Sequence, residues 1–251
     1  MAQLASDHGV NRDSPSRLCL VADGGTDQRI LERIVQTCSR ASGVARASLK
    51  VEHLRGVTLR DDIDRYWAAT KKADSPSILK ARDAFVKGTI SLLESTSSKF
   101  KDLIGRPLSC RDRVILATDA ERRLAHVDRY FDEWAWVVPR LLEQSVEKWY
   151  HRKVAYGYPR ANLPVILPVV FFPSIDVLVA AARAARGDAF DPRGLDAPQL
   201  KRQLYGTDEL RSVSPEAFER VALEHLTDEG IESIWKMVPE VRLFLLRLMA
   251  S

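Results

Sequence analysis

Three acidic residues, Asp23, Asp119 and Glu121, follow short apolar stretches of the sequence. The first stretch spans residues 17–22 and the second residues 113–118, and both have the length of a β-strand. If they are parallel strands of one sheet, their carboxyl ends lie at the same end of that sheet, where open α/β sheets bind ligands. Carboxylates gathered there without cationic partners repel one another unless a cation lies between them. Since Mg²⁺ and Mn²⁺ take oxygen ligands, the pattern predicts a site for one of these ions.

Asp27 and Asp176 are candidates for supporting roles near the same ligands. Gly24 and Gly25 let the backbone turn into a helix, which places Asp27 one helical turn beyond Asp23. Asp176 falls in the first turn of the helix predicted after the fourth strand. An acidic residue there also complements the helix dipole without any role in a site, and this second interpretation stays open. We expect both residues to act as partners of the metal ligands.

Basic residues at two places in the sequence predict contacts with a nucleic acid. Arg122 and Arg123 follow Glu121 directly, and a second group surrounds Trp149 and Tyr150. Cationic side chains neutralise phosphate groups, and aromatic rings stack on bases. A solvated helix end is the alternative interpretation of the second group. The predicted nucleic-acid contacts are Arg122, Arg123, Lys148, Arg152 and Lys153.

The composition is that of an ordinary globular protein with a mildly basic surface. The chain has 251 residues, of which 45% are hydrophobic and 29% charged, and a formal net charge of +4, which fits a nucleic-acid partner without requiring one. Cys19, Cys38 and Cys110 show no C-x-x-C spacing, which argues against a zinc site or a disulfide framework. Residues 1–16 lack the apolar core of a signal peptide, and no apolar run approaches about 20 residues. We therefore expect a cytoplasmic location and no membrane contact.

The order of strand and helix patterns predicts an α/β fold with a mainly parallel sheet of about four strands. Strand character is found at residues 17–22, 49–54, 113–118 and 164–172. Pro164 and Pro168 favour an outer position in the sheet for the last strand. Between residues 58 and 100 the pattern predicts two helices joined near Ser75, which is more than one crossover needs. The predicted organisation is a disordered leader at 1–16, an α/β domain at 17–187 with a helical insertion at about 57–104, and a helical C-terminal cap at 188–251 with helices at 197–205, 215–226 and 231–249.

The acidic residues lie in three short motifs that follow one another along the chain. Residues 21–27 read V-A-D-G-G-T-D, residues 119–121 read D-A-E, and residues 173–176 read P-S-I-D. Together, over residues 17–186, they resemble the Toprim fold, the metal-binding module of topoisomerases, primases and nucleases of the overcoming-lysogenization-defect type. They are most similar to small stand-alone Toprim-like proteins of bacteria, which have V-E-G-x-T-[DE], D-x-D and P-x-I-E. Each exchange of Asp and Glu keeps the charge and moves it by about one methylene, which preserves metal binding more safely than catalytic geometry.

The resemblance implies a Rossmann-like fold of Toprim type and a metal-dependent nuclease that cleaves phosphodiester bonds in DNA or RNA. In that role Asp119 and Glu121 hold Mg²⁺ or Mn²⁺, and Asp23 is a further ligand or the proton-transfer group. Similar proteins often occur beside ATPases. The resemblance therefore also implies an ATPase partner of AAA or ABC type and a function in antiviral defence.

Two other functions stay open at this point. The first is a catalytically weak Toprim-like scaffold subunit that binds a partner protein or nucleic acid, which the exchanges of Asp and Glu favour. The second is a phosphatase of the haloacid-dehalogenase type, because D-G-G-T at residues 23–26 is similar to that family's D-x-D-G-T. The second aspartate that such a phosphatase requires is Gly25 here.

Crowding of carboxylates also predicts how the protein responds to neutralising one of them. Relief of repulsion predicts that Asp23→Asn is neutral or stabilising in the absence of metal, although it harms activity. A structural role of Asp23 would give the opposite sign.

Overall fold

The sheet forms the centre of the protein. The computed structural model describes residues 17–41, 50–54, 57–70, 75–120, 133–187, 195–207 and 214–249, so Glu121, Arg122, Arg123 and the predicted leader lie outside the described residues. Within them, β1 (Arg17–Val21), β2 (Lys50–His53), β3 (Arg113–Asp119) and β4 (Val165–Phe171) form one parallel sheet in the order β2-β1-β3-β4. The predicted four-stranded parallel sheet is thus confirmed, with the proline-containing strand at its border.

Helices connect the strands and complete the chain. They are α1 (Gly25–Ala41), α2 (Arg60–Thr70), α3 (Ser75–Ile104), α4 (Glu133–Ala155), α5 (Asp176–Ala184), α6 (Ala197–Tyr205), α7 (Pro215–Glu224), α8 (Asp228–Met237) and α9 (Arg242–Met249). The prediction of one continuous helix over residues 231–249 is wrong. Pro239 follows α8 and begins a short 3-10 turn, because proline lacks the N–H that would continue the helix. Within the described ranges, no helix combines the length and the apolar character needed to cross a membrane.

Both faces of the sheet are buried under helices. Side chains of successive strand residues alternate between the faces, so Leu18 and Leu20 lie on one side and Cys19 and Val21 on the other. The first face packs against α1, α5 and the C-terminal helices α6, α7, α8 and α9, and the second against α2, α3 and α4. Burial on both sides explains why the strands are continuous apolar runs in the sequence.

The order of the strands reverses between β1 and β3. The chain leaves β1 through α1 on one face to reach β2, whereas it leaves β3 through α4 on the opposite face to reach β4. In open α/β sheets this reversal opens a crevice at the carboxyl ends of the two strands, where ligands bind. Val21 pairs with Leu116 in the register of the two strands, so Asp23 and Asp119 both lie at this crevice.

Candidate functional site

Asp23 joins the ends of the two central strands. Its Oδ2 accepts hydrogen bonds from Oγ1 of Thr118 at 2.8 Å and from the backbone N–H of Asp119 at 2.9 Å. Its Oδ1 accepts a hydrogen bond from the hydroxyl of Thr58, just before α2. The two strands that lead to Asp23 and Asp119 are paired in parallel, as predicted, whereas a cation shared by the two carboxylates stays a prediction. Because three donors occupy both of its oxygens, the carboxylate of Asp23 is held in one orientation.

Asp119 is fixed through its backbone and through one carboxylate oxygen. Oδ1 accepts a hydrogen bond from the backbone N–H of Ile175 at 2.8 Å, at the start of α5. The next residue, Ala120, donates its N–H to the carbonyl of Phe171 at 2.8 Å and accepts a hydrogen bond from Nε1 of Trp67 at 3.0 Å. Among the residues that the structure describes, Oδ2 of Asp119 accepts no hydrogen bond. The described part of the fold therefore positions one oxygen of Asp119 and places no hydrogen-bond donor on the other.

Asp27 and Asp176 lie at the beginnings of the two helices next to this crevice. Asp27 accepts a hydrogen bond from the backbone N–H of Gly24, in the manner of an acidic residue at the third position of a helix. Asp176 is only 2% exposed and accepts hydrogen bonds from the hydroxyls of Tyr205 at 2.9 Å and of Ser174 at 3.1 Å. Tyr205 ends α6, so the C-terminal helices reach the same end of the sheet.

The four aspartates act on one another electrostatically, and we call Asp23, Asp27, Asp119 and Asp176 the site carboxylates. Burial, together with the charges of Asp176 and Asp23, raises the pKa of Asp27 to about 7. Burial also raises the pKa of Asp119 well above its ordinary value, and the charges of the other three site carboxylates add to this rise. Burial raises the pKa of Asp176 despite the opposing hydrogen bond from Tyr205 and the charge of Lys201. Burial first, and repulsion among the carboxylates second, thus disfavour the charged forms of Asp27 and Asp119.

Three residues from distant parts of the chain act on the site carboxylates and were missed in the sequence: Tyr205 and Thr58 through hydrogen bonds, and Lys201 through its charge. Lys201 and Tyr205 lie one helical turn apart on α6, and Thr58 precedes α2. The start of α6 has a readable capping signal, since Asp196 and Gln199 exchange side-chain and backbone hydrogen bonds. No sequence signal showed which neighbour this helix faces.

The three predicted cationic contacts on α4 lie far from the site carboxylates. Lys148, Arg152 and Lys153 are near the end of α4, which runs antiparallel to the strands and returns the chain to the start of β4. The hydroxyl of Tyr150 bonds there to the carbonyl of Pro164 at 2.8 Å and to the N–H of Ile166 at 2.9 Å. A strand of this length spans about 20 Å. The structure therefore does not bring these cations to the crevice.

The site carboxylates fit a hard divalent cation in their donor chemistry. They supply the oxygen ligands that Mg²⁺ and Mn²⁺ prefer, and a bound cation would oppose the burial and mutual repulsion that raise the pKa values of Asp27 and Asp119. In the described part of the chain, however, no three acidic, histidine or cysteine side chains are arranged to hold a metal ion. Glu121, the predicted additional ligand, lies outside the described residues. The donors are thus present, while a complete ligand set within the described residues is not.

Asp27→Asn and Asp23→Asn are expected to change metal-free stability in opposite directions. The pKa of Asp27 is about 7 in the folded protein against an ordinary value of 3.8, so the folded state binds more protons than the unfolded state between these pH values. Stability should therefore fall as pH rises through this range, and Asp27→Asn should remove part of the fall. Asp23→Asn should instead destabilise by about 1–3 kcal/mol, because an amide offers one acceptor oxygen to three donors.

Thermal melts in EDTA at pH 5 and pH 8 measure both effects. We expect Asp27→Asn to raise the melting temperature at pH 8 and to change it little at pH 5. For Asp23→Asn we expect a lower melting temperature, because three donors bind this carboxylate. Repulsion among the carboxylates alone would predict an equal or higher melting temperature. A lower melting temperature of Asp27→Asn at pH 8 would show that this carboxylate is structural.

Comparison with known proteins gives no match for this chain. No protein-family model matches the chain, and neither a curated protein nor a solved structure gives a significant match. The case for a function therefore depends on the α/β fold, on the site carboxylates and on the three short motifs that contain them.

Proposed function

We propose that this protein is a metal-dependent nuclease of Toprim type that cleaves phosphodiester bonds. The observation that carries the proposal is the convergence of four aspartates at the crevice between β1 and β3. Ligands of open α/β sheets bind at this position, and carboxylates with raised pKa values favour a cation there. The three motifs that resemble Toprim proteins contain all four aspartates and Glu121.

The site carboxylates would have different roles in this nuclease. Asp119, through Oδ2, and Glu121 would hold Mg²⁺ or Mn²⁺. When bound, the ion would lower the pKa of a water molecule and neutralise charge on the phosphate. Asp27 would accept the proton, since a pKa of about 7 suits a general base at neutral pH. We assign Asp23 a positioning role, because three donors already occupy its oxygens.

We extend the proposal to the cellular setting. The protein would work in the cytoplasm with an AAA- or ABC-type ATPase partner in antiviral defence, as the motifs imply. The cysteines support a reducing compartment, because Cys19, Cys38 and the exposed Cys110 all carry free thiols.

A cleavage assay with the full chain tests the nuclease function. Supercoiled plasmid DNA and a single-stranded RNA are incubated with the protein in Mg²⁺, in Mn²⁺ or in EDTA. We expect nicking or degradation of one substrate with either ion and none in EDTA. Cleavage that continues unchanged in EDTA, or the absence of cleavage with both ions on both substrates, contradicts the proposal.

A catalytically weak scaffold subunit is the second candidate. It is favoured by the lack of a three-ligand metal group within the described residues and by the donors that engage Asp23 and Asp176. Metal binding separates the two candidates. An ion that binds only the folded state at about 100 times its Kd adds about 2.7 kcal/mol of stability. We expect Mn²⁺ to raise the melting temperature of the nuclease by several degrees, whereas a scaffold would show no shift.

A further inference from the structure

A basic and aromatic surface lies at the amino end of the sheet, opposite the site carboxylates. Residues 148–160 contain two lysines, two arginines and no acidic residue. Tyr156 and Tyr158 are 65% and 56% exposed, which is unusual for large aromatic side chains. We call this surface the amino-end patch; it consists of Lys148, Arg152, Lys153, Tyr156, Tyr158 and Arg160.

The two exposed rings are attached to a turn after α4 whose backbone is held by hydrogen bonds. The backbone N–H of Gly157 donates to the carbonyl of Val154 at 2.9 Å, and that of Tyr158 donates to the carbonyl of Lys153 at 3.1 Å. These two bonds form a Schellman motif, in which Gly157 adopts the left-handed conformation with φ of 88°. Tyr156 and Tyr158 therefore flank a turn of defined geometry. Because the backbone is already ordered, binding a ligand there costs little backbone conformational entropy.

Cations lie close to the aromatic rings of this surface. The guanidinium carbon of Arg152 is 5.7 Å from the ring centroid of Tyr156, and Nζ of Lys153 is 5.7 Å from that of Tyr158. Lys153 also forms an ion pair with Glu94. Arg160 forms an ion pair with Glu147 at 4.0 Å, and its guanidinium carbon is 3.1 Å from the ring centroid of Tyr150. Within the described residues, Lys148 and Arg152 form no ion pair. Of the four cations, Lys148 and Arg152 thus carry charge outside any ion pair within the described residues, and they lie beside two exposed rings.

We propose that the amino-end patch binds single-stranded nucleic acid. Tyr156 and Tyr158 stack on unpaired bases, while Lys148, Arg152 and Arg160 contact the phosphates. Charge complementarity selects a polyanion, and exposed rings select single strands because the bases of a duplex are already stacked on one another. The patch is separate from the site carboxylates, and its binding does not depend on the proposed cleavage.

Fluorescence anisotropy in EDTA tests the proposal without any contribution from metal-dependent cleavage. The probes are labelled oligo(dT) and oligo(U) of about 20 nucleotides, long enough to cover a typical single-strand site, and a DNA duplex of equal length. We expect a single strand to bind more tightly than the duplex, and the two single-stranded probes distinguish DNA from RNA. The double variant Tyr156→Ala/Tyr158→Ala should raise Kd by about 10- to 100-fold, whereas Tyr156→Phe/Tyr158→Phe keeps the rings and should bind like the wild type.

Charge variants supply the controls. Arg152→Ala should lower the slope of log Kd against log salt by about 0.7, the value for one phosphate contact on a single strand. Lys236→Ala removes an exposed lysine on α8 and should change nothing. Asp119→Asn should also bind normally, which separates this site from the cleavage site. Unchanged binding by the double alanine variant, or equal binding of the duplex, overturns the proposal. So does no binding of either single strand at low salt.

Discussion

Asp119→Asn is expected to lower the rate of metal-dependent phosphodiester cleavage by at least about 100-fold. Substituting a residue that only orients a metal ligand already lowers metal affinity or activity by about 10- to 100-fold, and Asp119 is proposed to be a ligand itself. The amide keeps an oxygen that accepts the backbone N–H of Ile175, so the start of α5 remains in place. The amide also removes a charge that burial and the neighbouring carboxylates disfavour. Activity should therefore be lost while the metal-free melting temperature stays equal or rises.

The cleavage assay with a Mn²⁺ titration and a thermal melt in EDTA measure the two effects together. Asp102→Asn is a matched control, because Asp102 is an exposed aspartate near the end of α3. We expect this control to cleave and melt like the wild type. If Asp119→Asn cleaves as fast as the wild type at every Mn²⁺ concentration, Asp119 is not a metal ligand.

Asp112→Asn is expected to destabilise the protein by about 3 kcal/mol, the lower end of the cost of breaking a buried ion pair, since Arg106 keeps some contact with water. Asp112 is fully buried at the amino end of β3. The guanidinium of Arg106 donates to its two oxygens at 2.6 Å and 2.8 Å, and the backbone N–H groups of Ser109 and Arg17 donate at 2.7 Å and 3.0 Å. In Asp112→Asn the side-chain NH2 group would replace one acceptor oxygen and would face the N–H groups that donate to it in the wild type.

The pH dependence of the unfolding free energy measures the contribution of the ion pair between Asp112 and Arg106. Burial would raise the pKa of Asp112, but hydrogen bonds from Arg106 and Ser109 outweigh burial and lower the pKa below its usual range. The stabilisation is therefore present above the unfolded pKa of about 3.9 and is lost as pH falls through the folded pKa. Urea unfolding at pH 7 and pH 3 should show a large difference between wild type and Asp112→Asn at pH 7 and a smaller one at pH 3. Equal stability of the two proteins at pH 7 would contradict the assigned role.

Local sequence patterns identified Asp119 as a functional candidate but gave no indication of the role of Asp112. Both flank the same strand, and the sequence identified Asp119 because it follows an apolar run and belongs to an acidic motif. Apolar runs and helical periodicity are local properties, so the strands and most helices were predictable from the sequence. The outer position of β4 was predictable from its prolines, such as Pro168. The rule that parallel strands present their carboxyl ends together placed Asp23 and Asp119 at the same end of the sheet. That they are neighbours depends on the pairing of β1 with β3.

Contacts between distant segments could not be predicted in this way. Periodicity shows which side of α6 is apolar, but packing against the sheet brings Lys201 and Tyr205 to the site carboxylates. The donors on Asp23 depend likewise on where Thr58 lies relative to β1. Lys148 and Arg152 were predicted to contact a nucleic acid, and only the antiparallel path of α4 shows that they lie at the end of the sheet opposite the site carboxylates. Local patterns specify each element, whereas the functional environment depends on side chains that meet only after the helices pack on both faces of the sheet.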